Sequence, residues 1–129
     1  MTTLPPRVRP SRKKGWRLQE AHPGGRVVTR PGRYGNPFTV ADALADDPTL
    51  TKDQARERCA RYHARWLDGD PEFAHIESER RAWVLDHVRE LASRPLACWC
   101  PLPEPGQADH CHAAHLIELA NKPAIRETP

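Results

Sequence analysis

The chain has 129 residues, 38% of them hydrophobic and 29% charged, with 20 Lys/Arg against 17 Asp/Glu. That length fits one domain of ordinary size, and the composition is too apolar for a disordered chain. No apolar run approaches the ~18 residues of a membrane-spanning helix, and Met1–Pro6 has no apolar signal core, so the expectation is a cytoplasmic protein with no membrane partner.

Residues 1–25 are rich in Pro, Arg and Lys and read as a basic arm with little regular structure. Residues 26–121 read as an α/β domain and 122–129 as a C-terminal tail. The charge is uneven. Nine Lys/Arg fall in residues 1–33 against a single acid, Glu20, a net +8 there; the remainder carries eleven against sixteen, a net −5. A basic third on an acidic body points to an anionic partner, nucleotide or nucleic acid, although a solvated arm has the same composition. Trp16 in so basic a stretch is expected to dock on the body or to stack on a base.

Arg26-Val27-Val28-Thr29-Arg30 is a short β-type run closed by Pro31-Gly32, and Gly35-Asn36-Pro37-Phe38 is a tight turn. A first helix begins at Thr51, where Thr51 and Gln54 make a capping box. Ala55, Cys59, Tyr62 and Trp66 form its apolar stripe, and Asp68-Gly69 ends it. A second helix is predicted from Asp70-Pro71, with Phe73, Ile76, Trp83, Val84, His87, Val88 and Leu91 on its buried face and Pro95 as its stop. Leu96–Cys100 reads as a buried strand, with Trp99 facing away from the two cysteines. A Pro-rich loop follows, then a last helix capped by Asp109. The order strand, helix, helix, strand, helix predicts a small single-domain layered α/β fold, with about three helices on a short, mainly parallel sheet. Residues 38–48, or the segment around Trp16, are expected to add a strand.

Four cysteines and no secretory signal disfavour a disulfide framework. Cys98, Cys100 and Cys111 fall within 14 residues of one another, beside His110, His112 and His115. Cys98 and Cys100, two apart on a strand, put their thiols on one side, and the loop leaving a strand's C-terminal end is where α/β folds place ligands. Three readings stay open. Cys98, Cys100 and Cys111 with one histidine, His112 among the candidates, give a Cys₃His zinc set. Alternatively Cys111, in the first turn of a helix, is a low-pKa nucleophile with His112 or His110 as base, which would make the chain an enzyme acting on a nucleotide-type substrate. In the third, the cysteines are core packing. Near the turn, Arg30, Arg33, Gly35 and Asn36 are candidates for binding a phosphate or carboxylate through guanidinium forks and backbone amides.

Arg30-Pro31-Gly32-Arg33-Tyr34-Gly35-Asn36-Pro37-Phe38, then Cys98-Trp99-Cys100-Pro101, then Cys111-His112-Ala113 resemble, in that order, the bacterial and phage family catalogued as domain of unknown function 4326. The resemblance runs from about Arg26 to Asn121. It implies a compact α/β domain in which Arg30, Gly35, Asn36, Pro37, Cys98, Cys100, Cys111 and His112 occupy the motif positions, and it implies no activity. The sequence as a whole predicts two motif loops converging on one pocket. Arg30, Arg33, Gly35 and Asn36 would hold an anion, a nucleotide or nucleic acid, beside a Cys98/Cys100/Cys111/His112 site for zinc or thiol chemistry. A protein-interaction scaffold without metal is the remaining alternative.

Overall fold

The computed structural model describes residues 4–122. Three two-residue strands form a parallel sheet in the order β1 (Arg7–Val8), β3 (Leu96–Ala97), β2 (Arg26–Val27). Arg7 and Arg26 both align with Leu96, and Val8 and Val27 with Ala97. The ladder extends past the strand ends: Cys98 N donates to Val8 O at 3.1 Å, and Val28 N to Ala97 O at 3.1 Å. Leu96 and Ala97 are fully buried, as expected of a central parallel strand covered on both faces.

The helices are α1 (Leu18–Ala21), α2 (Val40–Asp46), α3 (Lys52–Leu67), α4 (Ser78–His87) and α5 (His112–Asn121), with a 3₁₀ turn at Val88–Leu91. The main core joins Val28, Trp66, Val84, Leu91, Leu96 and Leu116 from the sheet and its edge, α3, α4, the 3₁₀ turn and α5. The small α/β class is as the sequence predicts, with five helices among the described residues rather than about three.

Three local expectations are corrected. The third strand comes neither from residues 38–48 nor from the Trp16 segment but from Arg7–Val8, inside the stretch read as an arm. Two residues carry no periodicity, so only the partner strand reveals them. Residues 40–46 are helical instead, because Thr39 accepts a hydrogen bond from Asp42 N at 3.0 Å and Ala-Asp-Ala-Leu-Ala favours a helix. The helix expected from Asp70 starts only at Ser78. Before it, Phe73 is drawn into an aromatic cluster with Tyr62 (4.6 Å) and Phe38 (5.3 Å), and Glu77 adopts a left-handed backbone with φ 41°. The capping box on α3 is present with both of its hydrogen bonds. The tail, apart from Lys122, lies outside the described residues.

One tertiary tie gives stability a pH dependence. Tyr34 is buried beneath Arg26, and its hydroxyl donates to Glu90 Oε1 at 2.6 Å, with the His87 carbonyl 3.0 Å away. That bond, with Arg26 nearby, holds the Glu90 carboxyl below its ordinary value. A carboxyl depressed by folding adds stability above its unfolded pKa of about 4.3 and loses it as pH falls through the folded value. Tyr34→Phe is therefore expected to melt below the wild type at pH 7, and the gap should narrow below pH 4. A gap that is constant with pH in thermal melts would show that the bond does not favour the ionised Glu90.

Candidate metal centre

The cysteines meet where β3 runs out. Beyond Ala97 the chain turns through Cys98-Trp99-Cys100, and after the Pro-rich loop it returns at Cys111, the residue on which α5 begins. The three sulfurs lie within 4.8 Å of one another, with Cys98 Sγ and Cys100 Sγ 3.8 Å apart. Zn–S bonds of about 2.3 Å at tetrahedral angles put sulfurs about 3.8 Å apart. These three cysteines can hold a metal ion.

His112 lies beside the cluster, but among the described residues only the three cysteines bring their ligand atoms within 4.8 Å of one another. The His112 Nε2 lies 2.8 Å from the Val28 carbonyl, which only accepts, so Nε2 is the donor in that contact. Nδ1 lies 3.9 Å from Cys111 Sγ. A backbone carbonyl that fixes the tautomer of a histidine is the usual outer partner of a ligating imidazole.

The cluster on its own favours a single thiolate. Hydrogen bonds from the Cys100 and Cys111 thiols, with His112 behind them, hold the Cys98 thiol far below its ordinary value. Cys111 is pushed far up by Cys100, Cys98 and burial. Cys100 gains from the Cys111 thiol but is pushed up to about 11 by Cys98 and burial. One sulfur thus takes the first negative charge, and ionising all three needs a cation between them. The uncapped N-terminus of α5 adds its positive end at Cys111.

A guanidinium encloses the cluster from the other side. Arg7, its side chain 4% exposed, donates to both oxygens of Asp109 (2.8 and 2.7 Å) and to the carbonyls of Cys100 (2.6 Å), Pro101 (2.7 Å) and Cys98 (3.3 Å). Burial works against its charge, but the Asp109 bond and the Cys111 and Cys100 sulfurs outweigh it and leave Arg7 above its ordinary pKa. Asp109, expected as the cap of the last helix, is engaged by Arg7, and Cys111 stands in the cap position instead.

The cluster forms one wall of a cavity of about 280 Å³. Thr29, Arg30, Asn36 and Phe38 from the first motif loop line it together with Cys98, Trp99, Cys100, Cys111 and His112, while Arg56, Cys59 and Ala60 of α3 close it. The two motif loops therefore share a cavity, near the lower end of the roughly 300–1,000 Å³ of small-molecule sites. Trp99, expected on the opposite sheet face, contributes to the same wall and is 40% exposed, because the strand and its alternation stop at Ala97.

The four turn residues have separate fates. Arg30 lines the cavity, and its Nη1 donates to Asn36 O at 3.3 Å. Asn36 is 8% exposed and its amide is committed to the fold: Nδ2 donates to Cys59 O at 3.0 Å, and Oδ1 accepts from Phe38 N at 2.9 Å. Arg33 does not line the cavity; its guanidinium lies 4.9 Å over the Trp83 ring. Gly35 also lies outside the cavity wall. It is needed for close approach, since a Cβ there would sit 2.9 Å from both Cα and N of Arg30. Gly35→Ala should cost about 1–3 kcal/mol in urea melts, the usual range for overpacking; a cost under ~0.5 kcal/mol would show that the turn can open freely.

Two neighbours escape the sequence reading. Arg56 sits on the cavity wall, and Asp53 lies 3.1 Å from His110 Nδ1 and 3.6 Å from Arg56. The contact with His110, then the nearby Arg56, holds the Asp53 carboxyl below its ordinary value. Cys111, the residue of the nucleophile reading, is 3% exposed; the Cys100 and Cys98 sulfurs and burial push its thiol up, and His112 Nε2 faces the Val28 carbonyl. Behind His112 lies His63, with ring centres 5.1 Å apart. Its burial, then His112 and His115, hold His63 neutral.

The model of the family described as Domain of unknown function (DUF4326) matches residues 8–122, most of the chain. No curated protein and no solved structure matches it. Among the described residues no helix is long and apolar enough to cross a membrane.

Proposed function

The chain belongs to the DUF4326 family, and we propose that it is a zinc-stabilised binding module whose cavity takes a phosphate-bearing ligand of nucleotide type. The observation that carries this reading is that three thiols within 4.8 Å of one another share a cavity wall with Arg30 and Arg56. Zinc suits the donors. Three sulfurs and an imidazole nitrogen form a common closed structural set, and thiolates select against magnesium and calcium. Cys98, Cys100, Cys111 and His112 Nδ1 would hold the ion.

The cavity wall offers complementary chemistry. Arg30 and Arg56 supply positive charge for a phosphate, and Phe38 and Trp99 supply aromatic surface for a planar base. Asn36 shapes this wall through its bonds to Cys59 and Phe38 rather than by touching the ligand. A cytoplasmic setting, where thiols stay reduced, suits such a centre.

The test is metal content and thiol titration on protein purified without a metal-affinity tag, followed by calorimetry with thymidine monophosphate. One zinc per chain, with three thiols protected until a chelator is added, supports the metal centre. Metal-free protein whose thiols all react freely overturns it. Nucleotide binding that Arg30→Gln and Arg56→Gln each weaken about ten-fold supports the cavity reading. Binding unchanged by either substitution overturns it.

A further inference from the structure

The basic segment does not stand away from the body. Arg9 Nε donates to the Trp99 carbonyl at 3.0 Å, and the Arg12 guanidinium lies 5.0 Å over the Trp99 ring. Trp99 is at once 40% exposed and part of the cavity wall. Past Arg12 the chain makes a turn, with Trp16 N donating to Lys13 O at 3.0 Å and Gly15 at φ 85°. The turn leaves Lys13 and Lys14 exposed. Among the described residues none of Arg9, Arg12, Lys13, Lys14 and Arg17 has a carboxylate within salt-bridge distance, and the chain has no acid before Glu20.

We infer that Trp99 with Arg12, Lys13 and Lys14 forms a track for a single-stranded nucleic acid, leading one nucleotide into the cavity. The inference deepens the nucleotide reading of that cavity, on which it rests for the seat of that nucleotide, and names the ligand as a strand. The chemistry favours a strand over other polyanions. An exposed indole with a guanidinium on its face is a stacking platform, and stacking needs a planar partner that neither a lipid headgroup nor an acidic side chain provides. The unpaired cations beside it match the charge of successive phosphates. A duplex keeps its base faces covered, and a cavity of about 280 Å³ has room for one nucleotide and not for a base pair.

The test uses the full-length, metal-loaded protein and a fluorescein-labelled ten-nucleotide oligo-dT, read by anisotropy between 50 and 200 mM salt. Affinity should fall with a log–log slope of about −2 to −3, as for three or four phosphate contacts on a single strand. The triple substitution Arg12→Ala, Lys13→Ala, Lys14→Ala should weaken strand binding at least ten-fold and flatten the slope by about 2, while zinc content and thymidine monophosphate binding stay unchanged. Trp99→Leu should weaken strand binding between about five-fold and a hundred-fold. The same ten nucleotides as a duplex should bind at least ten-fold more weakly.

Strand binding that the triple variant retains in full overturns the track. So does duplex binding as tight as the strand's. Binding to vesicles with 30% phosphatidylserine, lost in the triple variant while the oligonucleotide shows no binding, makes the surface a membrane contact and also overturns it. Mononucleotide binding is a separate readout. Its absence alongside strand binding that the triple variant loses refutes the cavity reading and supports the track. Its presence without strand binding does the reverse.

Discussion

Stripping the metal with a strong chelator should cost the protein its cooperative thermal transition, or lower its Tm by more than about 20 °C. Structural zinc in small domains contributes about 10–16 kcal/mol at neutral pH, and a whole domain of this size is stable by only about 5–15 kcal/mol. Cys98, Cys100 and Cys111 join the end of the central strand to the start of α5, and that helix packs on the 3₁₀ turn, α3 and the sheet. Without an ion, two of the three sulfurs, half-buried Cys100 and buried Cys111, are left as thiols whose ionisation the third opposes. The first contact between the strand end and the helix start then rests on Arg7 and Asp109.

Cys111→Ser should behave like the chelated protein, and added zinc should not rescue it. Cys59→Ser is the control. Cys59 is buried against Ala43 and Ala55 and, although it lines the same cavity, is not one of the three clustered sulfurs, so its replacement should cost stability and leave one zinc per chain. Restoration of the melt by zinc but not by magnesium completes the expected pattern. Identical melts with and without chelator would refute a structural metal.

The parts of this molecule legible in the sequence are those where a short pattern carries its own physics. Thr51 and Gln54 exchange hydrogen bonds with each other's backbone within one turn, so the start of α3 is a local event. Cys98 and Cys100 are near neighbours, and Cys111 follows a loop short enough to bring it back, so the cluster is a local event too. What was hidden depends on partners far along the chain. Arg7 meets Asp109 across 102 residues, and Val8 exists as strand only because Cys98 reaches back to it. Arg56 reads as one more charge on the polar face of a helix; it joins the cavity because α3 packs where it does. Asp70-Pro71 carries the signature of a helix start, yet the Asp70 side chain is held by Arg65 at 2.8 Å and by Glu72 N at 3.0 Å, which closes a turn instead. Asn36 was recognisable as a turn residue, but nothing local says that its amide would bond Cys59, 23 positions on.

Arg7→Ala should be among the most damaging single substitutions outside the cysteines, at about 3–5 kcal/mol, the cost of breaking a buried ion pair from one side. At roughly 3–5 °C per kcal/mol for a domain of this length, Tm falls by about 9–25 °C. The size follows from what the side chain does. A guanidinium has five N–H donors, and Arg7 makes five hydrogen bonds: two to Asp109 and one each to the carbonyls of Cys98, Cys100 and Pro101. Removal leaves the Asp109 carboxylate, 16% exposed, without its cation, and leaves three carbonyls around the cysteine turn unpartnered. Lysine restores the charge but not the planar fork, so Arg7→Lys should recover well under half of the loss. Asp109→Asn should cost less than Arg7→Ala, since the three carbonyl bonds survive. In the double variant Arg7→Ala, Asp109→Asn no buried charge is stranded, so the two effects should fall short of their sum by about 0.5–3 kcal/mol. If Arg7 acts only on folding, zinc release to a competing chelator at 25 °C will match the wild type in whatever fraction remains folded. If it also positions the ligands, Asp109→Asn, still fully folded, should release zinc faster than the wild type. A cost below 1 kcal/mol for Arg7→Ala would mean that the guanidinium does not tie β1 to the metal centre.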